Sequence, residues 1–383
     1  MDFSFTDEQK ALANLAGDIF RDRCSLDRLK AVEQSDDGYD RELWSALANA
    51  GLLGAAIPES FGGSGGGFIE ACLLFEQQGR HTALLPLLPT IVSAMALVRF
   101  GRDEQQQQFL PSVCTGETML TAGLSELGAS ERSPTTMASL IEGQWRLNGV
   151  KTAVPWAHRA SAIVLPARTV EGNTLLFLVP ADARGLRMER QHTMNWEPHF
   201  RIVLDNVAVP PSAMIGAEEN GGEVLKWMVD RYTVGLCAIA AGACERALRI
   251  TAEYASNRKQ FDKPIAMFQA VGQRMADSYI DNEAVQLTMW QAASRLAEEL
   301  PSAKEVATAK FWAAEAGSRI GHASLHIHGG ISIDVDYPIH RYFLWLKQIE
   351  FTLGAATPQL VHLGRLLAGH EDESLDSGGI PSE

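Results

Sequence analysis

The spacing of apolar residues changes twice along the chain, and this order limits the possible folds more than any other feature. From residue 5 to about 118, apolar residues recur every three or four positions, as in amphipathic helices. From about 119 to 215, the apolar runs are short, partly alternating, and separated by Gly, Pro, Asn and Asp, which is typical of β-strands. The helical spacing then returns in longer segments. The order predicts a mostly α protein with an inserted β domain.

The same pattern sets the expected domain boundaries. We expect an N-terminal α-helical domain, a middle β-barrel-like domain, a C-terminal four-helix bundle and a flexible tail, at residues 1–118, 119–220, 221–370 and 371–383. Thr6, followed by acidic residues, is expected to cap the first helix.

Two predictions concern the bundle itself. Glu223–Arg258 is predicted to be one long helix with a stripe of small residues suited to close helix packing: Gly235, Ala238, Ala241, Gly242 and Ala243. The segment from about 339 to 368 is predicted to complete the bundle as its fourth helix.

The charge of the chain excludes several classes of partner. A formal net charge of −14 over 383 residues leaves no basic surplus for nucleic-acid phosphates or an anionic membrane. The first residues lack the basic and apolar segments of a signal peptide, and no window approaches the roughly 20 apolar residues of a membrane span. These features predict a cytoplasmic protein without a membrane span. A local positive site for one phosphorylated ligand is compatible with them.

Cysteine and histidine patterns give little support for a metal site. The five cysteines are scattered, odd in number and without C-x-x-C spacing, which favours reduced thiols over a disulfide or metal framework. His322, His326 and His328 form H-x-x-x-H-x-H, but the cluster lacks an adjacent acidic or cysteine ligand. We expect no metal.

A cluster of hydrogen-bond donors lies in Asn257–Val271, "NRKQFDKPIAMFQAV", where Asp262 is the one carboxylate. Such a cluster suits anion binding better than acid or base catalysis. Taken alone, the local pattern favours a simpler interpretation, in which Arg258 is a surface cation at a helix end and Gln269 is solvated.

Several motifs follow one another in an order that resembles one enzyme family. "IPESFGGSGGG" resembles an Ile-Pro-Glu-x-Tyr-Gly-Gly turn, and "EQQGR" is similar to Glu-Glu-Leu-Gly-Arg. "RKQFDKPIAMFQ" resembles Arg-x-x-Phe-Gly-x-x-x-x-x-x-Gln, and "HIHGGISIDVDYPIHRYF" resembles Gln-x-x-Gly-Gly-x-Gly-x-x-x-x-Tyr-Pro-x-x-Arg. These are motifs of the acyl-CoA dehydrogenases, which the chain resembles over essentially its whole length.

The resemblance implies FAD held between subunits, an acyl-CoA thioester substrate, α,β-dehydrogenation and an electron-accepting flavoprotein. In the family, the Arg-x-x-Phe segment and its later Gln reach across a dimer to the ADP half of the neighbour's FAD. The cofactor-binding residues implied here are Arg258, Phe261, Gln269, His326, Gly329 and Gly330, with Ser125 able to offer a hydroxyl to the flavin ring. His326 replaces the family's Gln, and Asp262 replaces a Gly and places a negative charge near the expected phosphates.

The sequence departs from the family where the catalytic base is expected. One branch places a Glu in the last helices, where this chain has Leu353. Another uses a Glu-Arg pair early in the long bundle helix, which aligns with Tyr232 and Thr233. Glu350 and Asp230 lie two or three residues away and are the two weak candidates for a displaced base. The alternative is that both are ordinary surface carboxylates.

The strand expected beside the flavin departs as well. Ala153 and Pro155 stand where the family has Trp and Thr, and Trp156 is one residue out of register. With ADP motifs but no base or flavin face, the chain resembles the non-catalytic subunit of α2β2 acyl-CoA dehydrogenases that oxidise steroid side-chain CoA thioesters. We expect it to act with a homologous catalytic subunit. Two alternatives stay open: a homomeric dehydrogenase with a displaced base, and a flavin-free binding or assembly protein.

Overall fold

The N-terminal part of the chain is helical in the computed structural model, which describes residues 4–369. Its helices are α1 (Asp7–Arg23), α2 (Leu26–Glu33), α3 (Arg41–Asn49), α4 (Phe68–His81), α5 (Leu87–Phe100) and α6 (Asp103–Cys114). The predicted cap is confirmed, because the Thr6 hydroxyl accepts a 3.2 Å hydrogen bond from the Gln9 N–H and the Gln9 side chain accepts one from the Thr6 N–H. The predicted flexible tail, 371–383, lies outside the described residues.

The middle of the chain forms one eight-stranded sheet. Its strands are β1 (Leu120–Ala122), β2 (Met137–Ile141), β3 (Gln144–Pro155), β4 (Ala162–Arg168), β5 (Thr174–Pro180), β6 (Leu186–Gln191), β7 (His199–Val209) and β8 (Met214–Ile215). The strand order is β6-β7-β3-β2-β4-β5-β8, and β1 pairs in parallel with β4. The predicted central β domain is thereby confirmed.

Alternation along β4 and β5 gives the sheet two buried faces. Ile163 and Phe177 belong to a core within the β domain, whereas Val164 and Leu178 join the core shared with the helices. The sheet is therefore fixed against the helices and can present residues to a cavity between the two parts.

The C-terminal part returns to long helices. They are α7 (Gly221–Asn257), α8 (Gln269–Ala297), α9 (Ala303–His328), α10 (Ile339–Phe351) and α11 (Ala356–Leu367), and a hairpin of β9 (Lys259–Gln260) and β10 (Lys263–Pro264) connects α7 to α8. The prediction of a single fourth helix over 339–368 is wrong. The chain breaks between α10 and α11, where Leu353 and Gly354 have φ of 55° and 91°, values outside the helical region.

The small residues of α7 pack as the sequence predicts. A Cβ built on Gly242 would lie 1.9 Å from the Glu76 carbonyl oxygen, and one built on Gly79 would lie 1.9 Å from the Ile239 carbonyl oxygen. Both glycines let the backbones of α4 and α7 touch. This contact ties the N-terminal helices to the bundle.

Residues 4–369 contain neither a membrane-spanning helix nor a cluster of metal ligands. No helix in this range has the length and apolarity needed to cross a membrane. No group of three or more His, Cys, Asp and Glu side chains in the same range is placed to hold a metal ion. All five cysteines are free thiols.

Candidate cofactor site

Four elements meet at one end of the bundle: the end of α7, the β9–β10 hairpin, the start of α8 and the end of α9. The Tyr254 ring on α7 stacks on His328 of α9 with centroids 4.4 Å apart, and its hydroxyl donates to the His328 carbonyl at 3.3 Å. The Ile265 N–H donates to the Arg258 carbonyl oxygen at 2.8 Å, so the chain after the hairpin folds back on α7. The motifs around Arg258, Gln269 and His326 therefore share one end of the bundle, as the family resemblance implies.

The hairpin presents an aromatic side chain to solvent. Phe261 and Asp262 form its turn with φ of 51° and 62°, the left-handed values of a two-residue type I′ turn. Phe261 is 86% exposed, and its ring contacts Phe268 edge-on with centroids 6.2 Å apart. A large apolar ring held out on a short turn is suited to contact another molecule.

The donors predicted from sequence are accessible at this end of the bundle. Arg258, Gln269 and His326 are all exposed, and Gln269 is the first residue of α8. Gly329 has φ of 65°, and a Cβ built on either Gly329 or Gly330 would meet no described atom within 4 Å. A guanidinium, an amide and an imidazole form a donor set that fits a pyrophosphate, and the two glycines leave open space beside it.

Arg274 was missed by the sequence analysis. It lies on α8 five residues after Gln269, and its guanidinium contacts the Nδ1 of His326 on α9. Both residues line a groove of about 630 Å³ between the two helices, together with Asp281 and Arg319. The helical spacing from Gln269 places Arg274 between one and two turns along α8, but it gives no indication of the contact with His326.

A second candidate site lies where the sheet meets α7 and α10. It is a cavity of only about 60 Å³, whose lining includes Ser125, Ala153, Pro155, Trp156, Tyr232 and Leu353. These are the positions that the family resemblance assigns to the flavin face and the catalytic base. Ligand sites usually occupy about 300–1,000 Å³, so this cavity does not fit a tricyclic flavin ring. Ser125 faces the cavity, and its role in cofactor binding stays a prediction.

Bulky side chains from different elements fill this space. Trp156 follows β3, has φ of 57° and is 1% exposed; its ring contacts Tyr39, with centroids 6.3 Å apart. Tyr232 of α7 and Leu353, at the break after α10, are also buried. The offset of Trp156 by one residue therefore places its indole in the protein interior, against the cavity.

Three ionisable groups also line the cavity, and two of them, Glu197 and His199, were missed by the sequence analysis. Burial raises the pKa of the Glu197 carboxyl to about 7, against hydrogen bonds from Asn195 and Trp156 that lower it. Burial lowers the pKa of the His199 imidazole to about 4. Burial also raises the pKa of the Tyr232 phenol well above its usual range, and the nearby Glu197 adds to this rise. All three residues line the cavity.

The two weak base candidates lie outside this arrangement. Asp230 is 2% exposed and accepts hydrogen bonds from Arg132 and, at 2.8 Å, from Lys226. Burial opposes its ionisation, but the two cations hold its pKa below the usual range. The alternative of an ordinary surface carboxylate is therefore wrong for Asp230. Glu350 is half-buried and pairs with Lys347 at 2.8 Å. The lowered pKa of Asp230 makes it a weak proton acceptor.

The turn after Ser125 keeps a glutamate for a structural reason. Glu126 accepts hydrogen bonds from Thr136 and from the Lys151 ammonium at 2.7 and 2.6 Å. Burial favours the neutral acid, but Lys151 and the hydroxyl donors hold the pKa of Glu126 at about 2. This buried ion pair fixes the turn against β3.

Comparisons with known proteins support the family resemblance over most of the chain. Residues 6–117 match the acyl-CoA dehydrogenase N-terminal domain, and residues 219–367 match the C-terminal domain. The acyl-CoA dehydrogenase FadE27 of Mycobacterium tuberculosis is 40% identical over 377 residues, which cover 96% of this chain and 99% of that protein.

Solved structures share the whole fold. A chain of the Tcur3481-Tcur3483 steroid ACAD has a TM-score of 0.89 and 42% identity, covering 95% of this chain and 98% of that one. A chain of the ChsE4-ChsE5 complex from Mycobacterium tuberculosis has a TM-score of 0.91 and 39% identity, covering 98% and 100%. PigA with FAD and proline has a TM-score of 0.88 and 25% identity, covering 97% and 100%.

Proposed function

The chain belongs to the acyl-CoA dehydrogenase family, and we propose that it is a non-catalytic subunit that completes the FAD site of a homologous catalytic partner. The assembled enzyme dehydrogenates an acyl-CoA thioester between its α and β carbons and passes electrons to a flavoprotein. The Tcur3481-Tcur3483 steroid ACAD and the ChsE4-ChsE5 complex each pair two differently named chains, which supports the partnership, and the steroid ACAD supports a steroid-derived thioester as substrate.

The observation that carries the proposal is the contrast between the two candidate sites. The cavity at Leu353 and Tyr232 has room for about 60 Å³ and lacks a free carboxylate at either expected base position. The end of the bundle that carries Arg258, Gln269 and His326, called the nucleotide end below, is open. Its exposed donors fit a pyrophosphate, and its glycine backbone leaves space for one. A chain built in this way can hold the ADP half of FAD but has no space of its own for the ring.

Each residue at the nucleotide end has a separate task. Arg258 would pair with a phosphate of the pyrophosphate through its forked guanidinium, and Gln269 would donate an amide hydrogen bond. Gly329 and Gly330 would let the backbone approach the phosphates closely. Phe261 would pack beside them from the hairpin. The chemistry that bound FAD supplies is acceptance of two electrons from the acyl chain, and proton removal would fall to the partner.

Asp262 has a conformational explanation that is compatible with this site. Its φ of 62° belongs to the left-handed region, which Asp tolerates better than most residues. Asp262 can therefore adopt the backbone conformation of the turn, although a glycine would do so without a negative charge near the phosphates.

The test is to express the chain alone and together with a homologous catalytic subunit, and to measure bound FAD and activity. We expect a colourless chain alone and a yellow, active complex. Bleaching of a yellow lone chain by an acyl-CoA would instead support a homomeric dehydrogenase. A colourless complex would support the flavin-free assembly protein.

Arg258→Ala in the complex provides the residue-level test. Loss of a hydrogen-bonded ion pair to phosphate should weaken FAD binding roughly 10- to 100-fold. Arg249→Ala is the matched control, because Arg249 lies on α7, which Arg258 follows directly, and its exposed guanidinium pairs with Glu245. Unchanged FAD affinity in Arg258→Ala would refute the assignment of this end to the cofactor.

A further inference from the structure

The contact between Arg274 and His326 fixes the hydrogen-bonding state of the imidazole. A guanidinium carries only donors, so the Nδ1 of His326 must accept the hydrogen bond from Arg274. Nδ1 then carries no hydrogen, and the N–H of the ring is on Nε2. The remaining polar atom of His326 is therefore an N–H donor with a direction set by α8 and α9.

Arg274 forms no ion pair within residues 4–369, although Asp277 and Asp281 line the same groove. The neighbouring Arg319 is held by Asp281 through two hydrogen bonds of 2.6 and 2.8 Å and by Glu315 at 2.9 Å. Within residues 4–369, no carboxylate forms an ion pair of this kind with Arg274. Arg274 also lies in an exposed groove, where an interaction with His326 adds little to folding stability.

We infer that Arg274 is a positioning residue for the cofactor site: it contacts Nδ1 of His326 and so holds the ring with its Nε2–H as a donor toward the nucleotide. The inference rests on the proposed function and extends it to a residue outside the recognised motifs. A glutamine, which the family has at this position, carries its own amide donor and needs no tautomer to be chosen for it. An imidazole can expose either an acceptor or a donor, so the replacement by His326 creates a need that Arg274 meets.

The test uses FAD affinity of the assembled complex, measured by titrating the cofactor-depleted complex and following flavin fluorescence. Arg274→Leu should weaken FAD binding about tenfold, as expected for loss of one well-oriented donor to an anion. His326→Gln alone should bind FAD nearly as well as the natural chain, because the amide replaces the imidazole donor. In a His326→Gln background, Arg274→Leu should then change the affinity by no more than about threefold.

Two outcomes would overturn the inference. One is natural affinity in Arg274→Leu. The other is an equal loss from Arg274→Leu with and without His326→Gln, which would mean that Arg274 acts on the nucleotide directly and not through His326. Equal thermal midpoints of all variants, with Arg249→Leu as the surface control, establish that folding is unaffected.

The proposed function and the positioning role of Arg274 can be refuted separately. If Arg258→Ala retains FAD, the proposed function is refuted whatever Arg274→Leu does. If Arg258→Ala loses FAD and Arg274→Leu keeps it, the proposed function stands and only the positioning role is refuted.

Discussion

The Glu197 carboxyl, which is partly exposed and lines the cavity, makes stability depend on pH in a direction that can be tested. Burial raises its pKa to about 7, against an ordinary value of 4.5. Between these values the unfolded chain releases the proton while the folded chain retains it. Stability contributed by this group therefore falls as pH rises from about 4.5 to 7, and stays low above pH 7.

The size of the effect follows from the two pKa values. Compared with a carboxyl of unshifted pKa, the raised pKa lowers the free energy of unfolding by about 3 kcal/mol at pH 8. At pH 5 it lowers the free energy of unfolding by about 1 kcal/mol. Glu197→Gln removes the titration and keeps an oxygen that can accept the 2.7 Å hydrogen bond from Asn195. The free energy of unfolding of the variant, measured relative to that of the natural chain, should rise by about 2.5 kcal/mol between pH 5 and pH 8.

The assay is thermal or urea unfolding of the natural chain and the variant at a series of pH values. His199 and Tyr232 line the same cavity, but burial lowers the pKa of His199 to about 4 and raises the pKa of Tyr232 well above its usual range, so neither changes charge in the folded chain between pH 5 and pH 8. Glu218→Gln, at an exposed carboxylate, is the control and should show a flat difference. A stability difference between Glu197→Gln and the natural chain that does not change with pH would refute the assignment of a buried, neutral carboxyl.

Two further predictions concern packing and the buried ion pair. Gly242→Ala should destabilise the chain by about 1–3 kcal/mol, because its methyl group would lie 1.9 Å from a carbonyl oxygen of α4; Gly272→Ala, with open space around it, should be neutral or stabilising. Lys151→Met should lower the free energy of unfolding by about 3–5 kcal/mol, because it leaves Glu126 buried without its cation. Arg201→Met, in an exposed pair, should cost under about 1 kcal/mol. Chemical denaturation of the four variants checks both, and equal midpoints within either pair would contradict the packing or burial argument.

The sequence predicted well which parts of the chain are helical and which part forms the β domain. Periodicity distinguished the helices from the β domain, and small residues at helical spacing on α7 predicted close helix packing, for which the structure gives α4 as the partner. Local patterns suffice for this because 3.6-residue and two-residue repeats arise from backbone geometry itself. The short strands β1, β2, β6 and β8, and the break at Leu353 and Gly354, carry too few residues to show a period.

What only the tertiary structure decided is the state of the two sites. Filling of the cavity depends on Trp156, Tyr232 and Leu353, which come from distant parts of the chain and are buried together. The contact of Arg274 with His326 spans 52 residues of sequence, and the pairing of Arg132 with Asp230 spans 98. Sequence motifs name residue types at fixed spacing. Burial and pairing arise when elements far apart in sequence pack, and these set the pKa values, the free volume and the direction of each donor.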